Sequence, residues 1–427
     1  MNSLSEGWAA TTLSDVASWG SGGTPSRSNL NYYGGGIPWL KTGELGQRFV
    51  SSTEETISEE GLKNSSAKLF PAGAVAIAMY GATIGKTSIL CIDAATNQAC
   101  AVGIPNAELT LKEYLYHYLC SQKEAFVEAG KGGAQPNISQ TVIKDWEIPI
   151  APLPEQKRIA DKLDAVLARV DACRDRLDRI PVILKRFRQS VLAAATSGKL
   201  TDDWREISKP VEWNTLPLSE ICLSITDGDH QAPPQADDGI PFITISAIND
   251  GQLRLEKASR FVPVAYFDAL KESRRPQRGD ILFSVTGSIG IPAMVDTDSA
   301  FTFQRHIAIL RPDHSKISSG YLKFVLGAED VQQQALAVAT GTAQLTIPLN
   351  GLRSFSIKLP SREEQTEIVR RIEALFAYAD RLEVRDTAAR AQVEKLIPST
   401  LAKAFRGELV PQDPNDEPAS KLLERIR

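Results

Sequence analysis

The sequence predicts an α+β protein: two tandem β-rich domains with pseudo-twofold symmetry, separated by two long helices that form an antiparallel coiled coil. Three observations carry this expectation. A shift of 209 residues, without a gap, places Glu155, Gln156, Ile159, Ala165, Asp171, Arg176, Ser190, Leu192, Gly198 and Leu200 on Glu364, Gln365, Ile368, Ala374, Asp380, Arg385, Ser399, Leu401, Gly407 and Leu409. In both copies apolar residues recur at alternating spacings of four and three, the seam of a helix that packs on another long helix. The blocks before the two helices share turn and glycine landmarks, as an internal repeat requires.

The seam of the first copy runs Ile159, Leu163, Val166, Val170, Cys173, Leu177, Ile180, Leu184, Phe187 and Val191. In the second the same slots hold Ile368, Ile372, Leu375, Ala379, Leu382, Asp386, Ala389, Val393, Leu396 and Thr400, so only Asp386 and Thr400 interrupt it. Each helix supplies the partner the other needs, and two copies in one chain tend to arrange about a twofold axis, which makes the helices antiparallel and puts the β-rich domains at opposite ends. Pro181 lies inside the first seam at a cost of about 3 kcal/mol, which predicts a kink or a restart there. The segments are a first domain over 1–151, a central helix over 152–200, a second domain over 201–359, a distal helix over 360–410 and a tail over 411–427.

The 427 residues exceed what one core holds. No apolar run reaches the length of a membrane span, and no basic-then-apolar leader opens the chain, so neither a span nor a signal peptide is expected. Five cysteines without a C-x-x-C pair suit free thiols in a reducing cytoplasm and offer no metal site. The net charge is -4, and only residues 153–200 are basic, with 11 Lys and Arg against 6 Asp and Glu. An acidic chain attracts phosphates poorly, so any duplex it touches is expected to be held jointly with a partner.

In the first block Gly20 to Pro25 is turn-rich, Ile37–Leu40, Ala74–Met79 and Thr87–Ile92 read as strands, and Leu111 to Glu128 has helical spacing. The second block repeats its landmarks: Trp213 answers Trp8, Gly239 to Phe242 answer Gly36 to Trp39, and Ala343, Gln344 and Ile347 answer Ala134, Gln135 and Ile138. Gly81 to Thr87 imitates a phosphate-binding loop, but with three residues between its glycines instead of four and a strand after the Lys-Thr; a hairpin turn accounts for it better. No dinucleotide fingerprint, methylase pocket or nuclease metal cluster is present, so no catalytic residue is assigned.

The Pro152 to Gln156 run Pro-Leu-Pro-Glu-Gln, the Leu184 to Gln189 run and the Gly198 to Thr201 ending resemble the central region of the DNA specificity (S) subunit of type I restriction-modification enzymes, and Glu364-Gln365 with Ala402 to Leu409 resemble that family's second such region. The resemblance covers nearly the whole chain and is strongest in the helices. It implies a non-catalytic subunit with two target-recognition domains, each reading one half of an asymmetric bipartite site in double-stranded DNA. It also implies two methyltransferase (M) subunits docked on the helices and restriction (R) subunits beyond them, with S-adenosylmethionine, ATP and Mg bound by those partners and none by this chain. The alternative is a structural or partner-assembly protein built on the helical pair without DNA binding.

Polar and basic groups beside turns are the candidates to reach base edges, Arg suiting guanine and Asn or Gln adenine. In the first domain these are Thr24, Ser26, Arg27, Lys41, Thr42, Tyr80, Lys86, Asn97 and Gln98. In the second they are Asp227, His230, Thr244, Ser246, Arg274, Arg275, Arg278, Ser288, Gln304 and Arg305. A helix of about 40 residues spans roughly 60 Å, and it is expected to act as a ruler between half-sites whose centres lie about one turn, ~10 bp, apart.

Overall fold

The computed structural model describes residues 4–130, 136–228, 233–258 and 260–425. The first domain holds β1 (Ala9–Thr12), β2 (Ala17–Ser21), β3 (Tyr33–Leu40), β4 (Phe49–Val50), β5 (Glu55–Ile57), β6 (Leu69–Phe70), β7 (Val75–Ala78), β8 (Thr87–Leu90), β9 (Ala94–Thr96), β10 (Cys100–Pro105) and β11 (Glu147–Ile150). They form a five-stranded sheet β2-β10-β7-β8-β4, a four-stranded sheet β5-β3-β9-β6 and the pair β1-β11. Period two decides the packing: Val75, Ile77 and Met79 enter one core with Tyr114 and Leu115, while Ala76 and Ala78 enter another with Leu40 and Phe70. With both faces covered, β7 is buried at every position.

The second domain repeats the plan with β12 (Asn214–Pro217), β13 (Cys222–Asp227), β14 (Ile240–Ile243), β15 (Arg260–Val262), β16 (Ile281–Ser284), β17 (Pro292–Met294), β18 (Thr302–Phe303), β19 (Ile307–Pro312) and β20 (Ser356–Leu359). Its sheets are β13-β19-β16-β17, β15-β14-β18 and β12-β20. Ile281 and Phe283 face one core and Leu282 the other, the alternation seen in β7.

The expected strands form, and the imitation phosphate loop is indeed a turn: β7 and β8 pair antiparallel, with a 3-10 turn at Gly81–Thr83 and left-handed backbone at Gly81 (φ 61°) and Gly85 (φ 76°). The helix expected over Leu111 to Glu128 is instead two, Lys112–Ser121 and Lys123–Ala129. The break at Gln122 serves packing, because it sets Phe126 against Trp146, 4.4 Å between ring centres, and Gln122 accepts from the Trp146 indole at 3.4 Å.

The long helices are Leu153–Thr196 and Arg362–Phe405, 44 residues each. The chain divides into two compact units, Met1–Leu177 with Ala388–Arg427, and Asp178–Thr387, so each unit takes one β-rich domain and a stretch of both helices. Within each unit the stretches run antiparallel. In the first, Arg174 donates to Glu394 at 2.7 and 3.0 Å, and moving forward to Leu177 moves the partner back to Arg390. In the second, Arg188 reaches Asp380 and Glu383 at 2.7 Å, whereas Leu200 accepts from Arg371 at 2.9 Å.

Most seam residues are buried or half-buried, among them Ile159, Leu163, Val170, Leu177, Leu184, Val191, Ile368, Ile372, Ala379 and Val393, with Val166, Phe187, Leu375 and Leu382 half-buried. Two assignments are corrected. Cys173 is exposed and the half-buried side chain there is Arg174. Leu396 is 46% exposed, and Ile397 packs in its place. From Val393 the seam continues through Ile397, Leu401 and Ala404, eleven residues in three turns, because an unstrained helix drifts about 20° per heptad.

No restart occurs at Pro181, and a second proline, Pro398, also lies inside a helix. Pro181 leaves the Leu177 carbonyl without its helical donor, and the Arg390 guanidinium donates to that oxygen. Arg390→Ala is therefore expected to cost about 1–3 kcal/mol, the price of an unsatisfied buried acceptor. Pro181→Ala, which supplies an N–H, should raise the denaturation midpoint and shrink the cost of Arg390→Ala; equal costs in both backgrounds would refute the link.

The repeated Glu-Gln pair pins each helix to its domain. Glu155 accepts from the Trp8 indole at 3.1 Å, and Glu364 from Trp213 at 2.9 Å, Thr201 at 2.8 Å and Arg205 at 3.0 Å. Gln156 donates to Leu109 and Ala151 carbonyls at 2.8 and 2.9 Å; Gln365 donates to Lys316 and Pro360 at 2.9 and 3.1 Å. All four carboxamide and carboxylate side chains are buried, so the repeat at these positions reflects polar groups that must be satisfied. The tail joins the first unit: Ala419 N–H donates to the Gly7 carbonyl at 2.9 Å, and Leu422 and Leu423 pack with Leu109.

Candidate nucleic-acid interface

In the first domain β3 and β9 are parallel, Trp39 opposite Ala95 and Leu40 opposite Thr96. Their ends therefore release Lys41 and Thr42 beside Asn97 and Gln98, and the Asn97 N–H donates to the Leu40 carbonyl at 3.0 Å. The Gly20 to Pro25 turn folds over this end. Gly23 N–H donates to the Thr96 carbonyl at 2.9 Å, the Trp39 indole donates to the Gly23 carbonyl at 3.0 Å, and Thr24 donates to the Gln98 side chain at 2.5 Å. Gly22 has no room for a side chain, since a Cβ would stand 1.8 Å from the Thr96 carbonyl oxygen.

Arg27 and Lys41 converge on Glu55 at 2.6 and 2.9 Å, and Lys41 also reaches Glu54 at 3.0 Å. Hydrogen bonds from Arg27 and then Lys41 pull the Glu55 carboxyl down to about 2. These cations are thus already neutralised, and the Arg27 guanidinium lies 4.3 Å from the Tyr33 ring centre. The Ser26 hydroxyl bonds Ser28 at 2.8 Å and is exposed. Tyr80 follows Met79, whose N–H donates to Ala99 at 2.8 Å beside Gln98, and the Lys86 side chain lies against Gly46 without an ion pair among the described residues. The nine candidates of this domain therefore lie on adjoining loops at one end of its sheets.

The second domain builds the same end from different residues. β14 and β18 are parallel, Ile243 opposite Phe303, and the Gln304 N–H donates to the Ile243 carbonyl at 3.1 Å. Thr244 and Ser246 bond each other at 2.9 Å after β14, and Gln304 bonds His306 at 3.1 Å after β18. A cleft of about 530 Å³ here is lined by Asp227, Thr286, Arg305, His306, Gln344 and Thr346, among others. Exposed Arg305 has no ion pair among the described residues; Ser288 is exposed on the adjoining hairpin, and Arg274 stands 3.7 Å from Asp227.

Two candidates are not brought to this end. Arg278 precedes β16 where Ile281 pairs with Leu310, the opposite end from the Ser284–Ile307 pair, and its guanidinium bonds Asp298 at 2.9–3.1 Å. Arg275 is spent on the Leu270 and Asp268 carbonyls, holding its own loop. His230 lies outside the described residues, as do Ala134 and Gln135 of the repeat.

Sequence reasoning passed over Asn137, His306 and Thr346, and used Gln344 only as a landmark. The signal was the repeated isoleucine. Ile138 N–H donates to Met79 at 2.9 Å and Ile347 N–H to Val285 at 2.8 Å, so the residues before them, Asn137 and Thr346, bridge Tyr80 and Thr286.

One charged cluster lies behind the first domain's loops. Arg48, at the end of the loop that begins with Lys41, bonds Asp164 of the central helix through both guanidinium nitrogens at 2.7 Å. His117 Nε2 lies 2.8 Å from the same carboxylate. His117 is buried, and burial lowers its pKa below the ordinary 6.5, with the Asp164 hydrogen bond opposing. Between the two values the unfolded chain binds a proton that the folded chain refuses, so stability should fall as pH drops below about 6.5. Denaturation of the wild type at pH ~5.5 and ~7.5 should show this loss, and His117→Gln should reduce it; an unchanged slope would refute the assignment.

A profile of the type I restriction modification DNA specificity domain matches residues 5–181 and again 210–389. The type I restriction enzyme EcoBI specificity subunit of Escherichia coli is 35% identical over 342 residues, 74% of this chain and 71% of that protein. The EcoKI specificity subunit of Escherichia coli (strain K12) is 30% identical over 450 residues, 99% of this chain and 96% of its own. Two solved structures share the fold at 21% identity. A chain from work on complex assembly and conformational transition of the type I R-M system covers 96% of this chain and 100% of its own, TM-score 0.72, and the HsdS subunit from Thermoanaerobacter tengcongensis covers 95% and 98%, TM-score 0.65.

Proposed function

This chain belongs to the family of type I restriction-modification DNA specificity subunits, and from that premise we propose that each domain reads one half of an asymmetric bipartite duplex site at the end of its parallel strand pair. The observation that carries this is the repeated scaffold with changed side chains. The Asn97-to-Leu40 and Gln304-to-Ile243 hydrogen bonds are equivalent, yet Thr24 and Gln98 meet beside the first, and Asp227, Arg305, His306 and Gln344 line the cleft beside the second. One frame with two sets of donors and acceptors reads two different sequences.

In this reading the chain contributes recognition and no catalytic group. Two methyltransferase subunits dock on the helices, where Val182, Ile183 and Val384 are 52%, 58% and 70% exposed, a cost that a partner would remove. They bring S-adenosylmethionine, and restriction subunits bring ATP- and Mg-dependent translocation and cleavage, in the cytoplasm where the genome is. The scarcity of unpaired cations at both reading ends fits a duplex held jointly with those partners. No described helix is long and apolar enough to cross a membrane. Methylation mapping of genomic DNA with and without this chain tests the reading: a bipartite motif should lose its methylation when the chain is removed, and an unchanged methylation pattern would overturn it.

A further inference from the structure

Beyond the residues that face DNA, something must hold the reading loops in register with the helix that carries them, because an error near 1 Å in a contact costs much of its specificity. In the first unit the loop from Lys41 to Arg48 is fixed at both ends. At its start the Lys41 N–H and Glu54 N–H donate to the two Glu44 carboxylate oxygens at 2.9 and 2.7 Å. At its end Arg48 forms the two-pronged pair with Asp164, and its guanidinium also lies 4.8 Å from the Phe49 ring centre and 5.9 Å from that of Tyr116. Between them Ser88 accepts from Gly46 at 3.1 Å and donates to the Gln47 carbonyl at 2.5 Å.

Resting on the reading of this end as a DNA interface, we infer that Arg48 and Asp164, with His117 buttressing the carboxylate, form a positioning joint that sets the Lys41–Arg48 loop against the central helix and so tunes discrimination at the first half-site. Neither side chain needs to touch a base. A planar guanidinium held by both nitrogens fixes distance and angle together, which a lysine at the same place would not. His117 is buried and bonded to Oδ1 of the same carboxylate, which narrows the rotamers Asp164 can take.

Among the described residues the second unit has no counterpart. The corresponding helix position, Glu373, is exposed, and Arg254 of the equivalent loop is engaged locally, with Asp250 at 2.5 Å and Gln252 at 3.2 Å. The joint is therefore asymmetric, which supplies an internal control: the second half-site should not respond to it.

The test uses the complete modification complex and duplexes with single base-pair changes in each half-site. Arg48→Ala, Arg48→Lys and Asp164→Asn should each reduce discrimination at one or more first-half base pairs by about tenfold while leaving second-half discrimination within about twofold. Arg48→Lys keeps charge and bulk, so it reports on geometry even if Arg48→Ala folds poorly. The charge swap Arg48→Asp with Asp164→Arg should recover part of the loss. Equal losses at both half-sites, or unchanged discrimination in a folded Arg48→Lys complex, would overturn the joint. If instead the wild-type complex showed no bipartite preference, the reading of the interface itself would fail, an outcome the wild type alone reveals.

Discussion

Exchanging residues 1–151 for the corresponding block of a relative is expected to replace one half-site entirely and leave the other half-site and the gap between them unchanged. Two or three altered base pairs, at about 1–3 kcal/mol each, suffice to lower methylation of the original site by about thirtyfold or more. The structure sets conditions on the donor. Its block must supply an indole to meet Glu155, as Trp8 does at 3.1 Å, and carbonyls to meet Gln156, as Leu109 does at 2.8 Å. It must also accept the tail, because Leu422 and Leu423 pack with Leu109. A donor whose Arg48 counterpart cannot meet Asp164 should give a new half-site that is read loosely. Methylation mapping decides: a chimaera in which both half-sites change would show that the two domains do not read independently.

The helices were legible because two demands coincide in them: apolar periodicity for the seam, and buried polar groups that tolerate no substitute. Glu155, Gln156, Glu364 and Gln365 repeat for the second reason, and each is bonded to backbone or indole in the structure. Legibility ended where the heptad drifts, at Cys173 and Leu396, since a sequence pattern fixes spacing but not the slow rotation of the seam. Pro181 was half legible for a related reason. Its local penalty was readable, but Arg390, some 209 positions away in the chain, which serves the abandoned Leu177 carbonyl, was not.

The loop end where the candidate residues gather was legible only as a class of residue. Turn chemistry picked out Thr24, Asn97, Gln98 and Gln304, which the structure places on loops leaving the parallel strands. Charge alone misplaced Arg275, which serves the Leu270 and Asp268 carbonyls of its own loop, and Arg278, which precedes β16 at its far end and bonds Asp298. The parallel register of β3 with β9 and of β14 with β18 was invisible to periodicity, and it is that register which brings the loops together.

Lengthening both helices by four residues is expected to widen the unread gap by one or two base pairs and to leave both half-sites as they are. Ala165 and Ala374, which share one position of the repeat, are the obvious places for the insertions. The structure argues against the first, because Asp164 next to it holds Arg48 and His117, and against the pairing of the two, because antiparallel helices must be lengthened at facing positions. Arg188 faces Asp380, so residues 189 and 190 face residues 379 and 378, and insertions after Gln189 and after Tyr378 fall at facing positions that keep the Arg188–Asp380 and Arg371–Leu200 contacts. Four residues add about 6 Å along the helix and turn it by roughly 40° beyond a full turn. At about 3.4 Å of rise per base pair the added length corresponds to between one and two base pairs. An insertion in one helix alone breaks the seam and should lower stability without giving a new gap. If methylation mapping of the doubly lengthened chain returned the original gap with both half-sites intact, the helices would not set the spacing, and the distance between half-sites would have to be fixed by the methyltransferase subunits instead.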